Sequence, residues 1–213
     1  MRRGLTLIEL IVVIAIIALI IAILIPVLWN VRKRSYESAC ISNLRQIYVA
    51  FEGYRQDHNE FPPDITRLAS YIKEKAILRC PADVYPQGAG HLNSMGLVET
   101  SYFYFLPSTA DYLKILQGAD SVHGILVCVL HGNRVSETLG PAELTFAGKV
   151  LRLTVDGSVQ SKYAEMLCFN DAEGNLTEMR HPWYLFSDVR PIPEAVMNSD
   201  PALRGANIVP CGY

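Results

Sequence analysis

The chain has 213 residues, half of them hydrophobic and 19% charged, and a formal net charge of −2. Outside the first 34 residues its basic side chains do not cluster, which argues against nucleic acid as a partner. From His58 onward about 155 residues remain, enough for one compact domain with its own core.

The chain opens Met1-Arg2-Arg3-Gly4 and continues Leu5-Thr6-Leu7-Ile8-Glu9. Leu10 to Leu28 follows, 19 residues with no charge and one proline, Pro26. About 20 apolar residues cross a bilayer core as a helix, so this segment is predicted to span a membrane, over about 8–29. A cleaved secretory signal would have an apolar region of about 7–15 residues and a small-x-small site after it. Here Trp29 leads instead directly into Arg32-Lys33-Arg34. Glu9 lies inside the apolar stretch, where a carboxylate costs about 2.5–3.5 kcal/mol even on a lenient insertion scale. Each flank carries three positive groups (Arg2, Arg3 and the amino terminus against Arg32, Lys33 and Arg34), so charge alone does not orient the span.

Beyond the span, Tyr36, Cys40, Leu44, Ile47, Tyr48, Phe51 and Tyr54 recur at helical spacing and form one apolar stripe. The pattern stops at Asp57-His58-Asn59-Glu60-Phe61-Pro62-Pro63, where turn residues and paired prolines end helices. One rod is predicted, lipid-facing in its first half and docked on a globular head in its second. From Leu5 to Gln56 it would be about 78 Å long at 1.5 Å per residue.

Gly4-Leu5-Thr6-Leu7-Ile8-Glu9 resembles the processing site of type IV prepilins and type II secretion pseudopilins. That resemblance implies a leader at 1–4, a pilin helix at 5–57 and a globular head at 58–213. It implies that a membrane prepilin peptidase cuts between Gly4 and Leu5 and methylates the new amine; Leu5 stands where the family most often has phenylalanine. Glu9 would meet the amine of an adjacent subunit, and Pro26 would mark where the helix loses regular hydrogen bonding on packing into a filament. The implied location is the inner membrane, single-pass, with the head outside the cytoplasm, periplasmic or extracellular after assembly. The implied partners are the peptidase, other pilin or pseudopilin subunits, the inner-membrane assembly machinery and membrane lipid.

A second resemblance, to a large bacterial set of prepilin-type proteins, covers Cys40-Ile41-Ser42-Asn43-Leu44-Arg45-Gln46-Ile47, Tyr54 to Asp57, Phe61-Pro62-Pro63 and Cys80-Pro81-Ala82-Asp83. The Asp156-Gly157 element is shared as well, with Ser158 in place of the usual histidine. His131-Gly132 lies 25 residues before Asp156, farther than the family's short gap. The region from Lys162 to Tyr213 resembles no family.

In the head, Thr100–Leu106, Gly124–Leu130, Val150–Val155 and Ser158–Tyr163 are predicted strands, the last two joined at Asp156-Gly157, a strong hairpin pair. Leu68–Ile77 and Asp111–Gln117 are predicted short helices. The proline-bearing tail after Pro182 is predicted to be loop-rich and wrapped over the sheet. The fold class is α+β, a long N-terminal helix packed on an antiparallel sheet.

Five cysteines occur, at 40, 80, 128, 168 and 211, with no C-x-x-C pair, so no metal site is expected from them. Disulfides are permitted outside the cytoplasm, and a Cys40–Cys80 bridge is favoured over two buried thiols. Asp171, Glu173 and Asn175 alternate oxygen ligands in a way that faintly suggests calcium, but an acidic hairpin turn is the simpler account. His58, His91, His123, His131 and His181 are scattered and no catalytic motif is present, so a structural subunit is expected, not an enzyme, with no cofactor beyond that calcium candidate. The alternative is a membrane-anchored extracytoplasmic ligand-binding protein exported by the prepilin route, with Tyr102-Phe103-Tyr104-Phe105 as its platform.

Overall fold

A computed structural model describes residues 7–85, 88, 99–104, 118, 121–134, 146–164, 167–170, 174–179, 182–199 and 207–209. Helix α1 runs unbroken through 52 residues, Leu7–His58. It ends because Asn59 takes up a left-handed conformation (φ 56°) while its N–H donates to the Arg55 carbonyl at 2.8 Å. Asparagine tolerates that cap geometry, and Pro62 and Pro63 then forbid continuation.

The second half of α1 is the spine of the head. Cys40, Leu44, Ile47, Ala50, Phe51 and Tyr54 are buried, and the burial of each large apolar side chain contributes about 1.5–3 kcal/mol. Tyr36 and Tyr48, also on the predicted stripe, are half-buried at its margins. After α1 come two 3-10 turns, Ile65–Ser70 and Lys75–Leu78. The helix predicted at Leu68–Ile77 is therefore two tight turns. Asp64 caps the first by accepting from the Thr66 N–H at 2.8 Å, and Tyr71 closes it. Asp111–Gln117 lies outside the described residues.

The main sheet is antiparallel. β1 (Phe103–Tyr104) pairs with β2 (Gly124–Cys128), and β2 pairs with β4 (Phe146–Thr154). β3 (Asn133–Arg134) pairs with the start of β4, and β5 (Val159–Ala164) returns along β4 from Leu153↔Val159 to Gly148↔Ala164. Every residue of β2 is buried, so this strand reads as a continuous apolar run without alternation. Leu126, Leu151 and Leu153 meet the α1 stripe in one core. Tyr102, Phe103 and Tyr104 are buried in that same core, which removes them as an exposed binding platform; Phe105 lies outside the described residues. Tyr104 also donates to the Pro62 carbonyl at 2.6 Å, and its ring packs tilted against Phe51 with centroids 5.3 Å apart.

The tail is not the loop-rich wrap expected from its prolines. β6 (Leu167–Asn170) pairs with β7 (Leu176–Met179) and with β8 (Asn207–Val209), forming a second sheet. Short helices α2 (Pro182–Phe186) and α3 (Glu194–Ser199) accompany it. Trp183, Leu167, Phe169, Ile192 and Val196 make a separate small core there. Pro182 and Pro193 sit at helix starts, where a missing N–H costs nothing, so these prolines begin elements.

The two cores are joined by Arg152 of β4, whose side chain is 1% exposed. It donates to Asp188 at 2.6 Å and to Gln160 at 3.0 Å, while Lys162 donates to the same Asp188 oxygen at 2.6 Å. Partial burial pulls the Asp188 carboxyl upward, but hydrogen bonds from Lys162 and Arg152 outweigh it and hold it below the ordinary carboxylate range. Its folded pKa is depressed, so its stabilisation is present above about pH 4 and is lost as pH falls through the folded value. Asp188→Asn should lower head stability by about 1–2 kcal/mol at pH 7, a discounted figure because Asp188 is half exposed. In denaturant titrations at pH 7 and pH 3, the difference from the native chain should shrink at the lower pH.

The β4–β5 turn gives a second expectation. Gly157 has φ +82°, and a Cβ built there would lie 2.5 Å from the Tyr48 ring. Tyr48 in turn donates to the Val155 carbonyl at 3.3 Å, fastening α1 to this turn. Gly157→Ala combines backbone strain with a clash against the spine, and should destabilise the head by about 2–3 kcal/mol in thermal melts.

Candidate functional site

Two regions carry chemistry, one at the bare end of α1 and one where α1 enters the head. From Leu7 to Trp29 every residue of α1 is exposed, and its most apolar window has no burial at all. An apolar surface of this extent calls for lipid or for neighbouring helices. Glu9 lies in the first turn of the helix. Pro26 is accommodated without a break, although it removes the backbone donor that would reach back to Ala22. Gly4 and Leu5 lie outside the described residues.

At the other end, four residues distant in sequence converge. Cys40 comes from α1, Cys80 from the turn after the second 3-10 turn, Cys128 from the end of β2 and His131 from the turn beyond it. Their three sulfurs and one ring nitrogen all lie within 4.8 Å of one another. Cys80 Sγ and His131 Nε2 are 3.4 Å apart, and the Cys40 thiol is 3.8 Å from the Tyr102 hydroxyl. All three cysteines are buried and His131 is half-buried.

The segments that bring them together are strongly tied. Asn43, one turn after Cys40, donates to the Arg79 carbonyl at 2.9 Å, holding the segment before Cys80 against the helix. The Cys80 N–H donates to Ser101 Oγ at 2.9 Å, Ser101 donates to Asp83, and the Asp83 N–H closes the turn on the Cys80 carbonyl at 2.9 Å. The Cys-x-x-Asn and Cys-Pro-x-Asp patterns are thus two halves of one junction.

The thiols do not behave alike. Hydrogen bonds from Cys128 and Cys40 hold Cys80 well below the ordinary thiol range despite its burial, with His131 assisting. Burial drives Cys128 upward, followed by its bonds to the other two sulfurs. For Cys40 the Cys128 contact lowers the value, but the bond to Cys80, burial and the Cys80 charge outweigh it and the net shift is upward. Burial likewise pushes the Tyr102 phenol up.

The expected Cys40–Cys80 bridge is not formed: both are free thiols, as is Cys128. A third thiol, Cys128, and the His131 imidazole share the same space. Cys168, by contrast, is disulfide-bonded, and its partner lies outside the described residues. Cys128 and His131 form no Cys-x-x-Cys pair and are not marked by that spacing. Cys128-Val129-Leu130-His131 has the close spacing of a ligand pair, and that was the available signal. Of the calcium candidate, Asp171 and Glu173 lie outside the described residues and Asn175 is exposed; the strands on either side pair as a hairpin, Asn170↔Leu176.

Residues 1–25 match the family model of the prokaryotic N-terminal methylation motif. The chain carries a prepilin-type amino terminus. The match ends within the exposed part of α1, before the head begins. No curated protein and no solved structure matches the chain significantly. The motif is typical of type IV prepilin-like proteins, which as a class are processed by prepilin peptidase and assembled with other such subunits. Together with the bare apolar helix, this prepilin-type segment points to a membrane anchor.

Proposed function

We propose that the protein is a structural subunit of a type IV pilus or type II secretion pseudopilus, processed between Gly4 and Leu5 and assembled through α1. The observation that carries this reading is the continuity of one helix from the methylation motif into the core of the head. A cleaved signal has no reason to share a helix with the core of the mature domain. A filament subunit does, because the half of the helix outside the head must pack against neighbours while the other half holds the head at the filament surface.

In this reading the head lies outside the cytoplasm, and the anchor passes from bilayer to a bundle of neighbouring helices. The exposed aliphatic face from Leu10 to Leu28 suits either environment, so transfer between them costs little in hydrophobic burial. Glu9 supplies direction. In the assembled filament its carboxylate would meet the Leu5 amine of an adjacent subunit, where low dielectric strengthens a charge-assisted contact. Pro26 lies near the far end of the span, where the helix gives up regular hydrogen bonding at least cost.

Processing is tested at the cut. Mass spectrometry of the native protein should find a mature chain beginning at N-methyl-Leu5, and Gly4→Val should leave the leader attached. A native chain starting at Met1, or one cut after Trp29, would contradict the proposal.

Assembly is tested at Glu9. Glu9→Leu should leave membrane insertion and the melting temperature of the head unchanged while incorporation into sheared filaments or pseudopili falls at least about tenfold, the effect of about 1.4 kcal/mol lost per contact. Normal incorporation of Glu9→Leu would remove Glu9 from the assembly mechanism.

A further inference from the structure

We propose that Cys40, Cys80, Cys128 and His131 bind one Zn(II) ion that fastens the pilin-like helix to the head. Zinc in a Cys3His site is tetrahedral, with sulfur at about 2.3 Å and nitrogen at about 2.0–2.1 Å, which sets ligand atoms about 3.5–3.8 Å apart. The four atoms here lie within 4.8 Å of one another, and the Cys80–His131 pair is 3.4 Å apart. Seating the ion requires the longest separation to contract by about 1 Å, a rotamer-scale adjustment.

Three cysteines in a core are by themselves compatible with small apolar packing. His131 makes the difference. An imidazole gains nothing from apolar packing, yet its Nε2 points at Cys80 Sγ from the half-buried edge of the cluster. A disulfide accounts for the cluster less well: bridging any two of the sulfurs leaves the third thiol and the imidazole unused, whereas one tetrahedral ion engages all four. The ligand set also selects the ion. Three sulfurs and one nitrogen in tetrahedral array suit zinc and offer no oxygen for calcium or magnesium. With four protein ligands the site is closed, as structural zinc sites are.

The surroundings fit this role. The Tyr102 hydroxyl, 3.8 Å from Cys40 Sγ, is placed to turn its proton toward a metal-bound thiolate. A surface pocket lined by Lys33, Tyr36, Glu37, Ala82, Leu130 and His131 reaches the imidazole side and gives the ion an entry path. Lys33 there supplies positive charge near a site whose three thiolates and one Zn(II) sum to −1. On binding, the thiol protons leave to solvent through this side. The ligands come from α1, from the turn after the second 3-10 turn, from the end of β2 and from the turn beyond it, so one ion closes loops between positions 40, 80 and 128 at the point where the rod enters the head.

Full-length protein purified in detergent without chelators should hold about one zinc per chain by plasma mass spectrometry. Reduced, metal-free protein titrated with Co(II) should develop the intense visible bands of tetrahedral coordination together with a thiolate-to-cobalt charge-transfer band. His131→Ala keeps every thiol and alters only the half-buried edge; it should weaken zinc binding on the order of 100-fold with an unchanged far-ultraviolet circular dichroism spectrum. Cys128→Ser should reduce the charge-transfer intensity by about a third, one sulfur in three. Reduced native protein that binds Co(II) without tetrahedral bands would overturn the proposal, as would His131→Ala with native zinc affinity. So would peptide mapping of freshly isolated protein that finds Cys40 joined to Cys80 or to Cys128.

Discussion

Everything in this molecule depends on one face of one helix being buried. Leu44, Ile47 and Phe51 of α1 are fully buried against Leu126, Leu151 and Leu153 of the sheet, and neither surface is stable without the other. An isolated antiparallel sheet with one apolar face has nowhere to put it, and an amphipathic helix of this length draws most of its stability from docking. The specific polar contacts then fix register. Tyr48 to Val155, Asn43 to Arg79 and Tyr104 to Pro62 place the helix, the 3-10 turns and β1 relative to one another. The hydrophobic contact sets how strongly the helix is held, and these three bonds set where.

The same helix must also be apolar on every side along its first half, and that is why so much of the fold was legible in the sequence. A change from uniform to one-sided hydrophobicity near Arg32 can arise from only a few arrangements, and α1 from Leu7 to His58 is the simplest. Val150–Val155 and Ser158–Tyr163 were legible for a different reason: Asp156-Gly157 demands a positive φ, and Gly157 at +82° supplies it. The failures have physical causes too. Prolines in the tail suggest loop, yet Pro182 and Pro193 sit at helix starts, and the strands from Leu167 to Val209 are too short to show a period. Leu68–Ile77 has helical spacing, but the chain there turns too tightly for more than 3-10 geometry.

Of the functional residues, those in the N-terminal motif were legible because the recognition is local: cleavage, methylation and the position of Glu9 involve consecutive residues. The thiol cluster was not, because its four members are separated by up to 91 positions from Cys40 to His131 and only the sheet topology brings them together. Cys40 and Cys80 both lie in recurring patterns, which links them at the level of sequence. Cys128 resembles any residue of a buried strand, and β2 is buried at all five positions. A nucleophile in a continuous apolar run has no local signature.

The placement of these features along the rod has a mechanical consequence. The last apolar residue of the span, Trp29, and the first fully buried residue, Cys40, are eleven residues apart, about 16 Å of helix. Between them, Glu37 pairs with Lys149 of β4, an ion pair half-sheltered at the mouth of the head. Every residue from Leu7 to Ser35 is exposed. Among the described residues, loss of helicity around Pro26 therefore removes no contact made by the head. Traction applied to the anchor reaches the sheet first at Glu37 and Cys40, where an ion pair, a buried thiol cluster and the Asn43 bond lie within two helical turns. These polar contacts thus stand where the load enters, and the hydrophobic stripe beyond them from Leu44 to Tyr54, which holds the helix most strongly, carries it into the core.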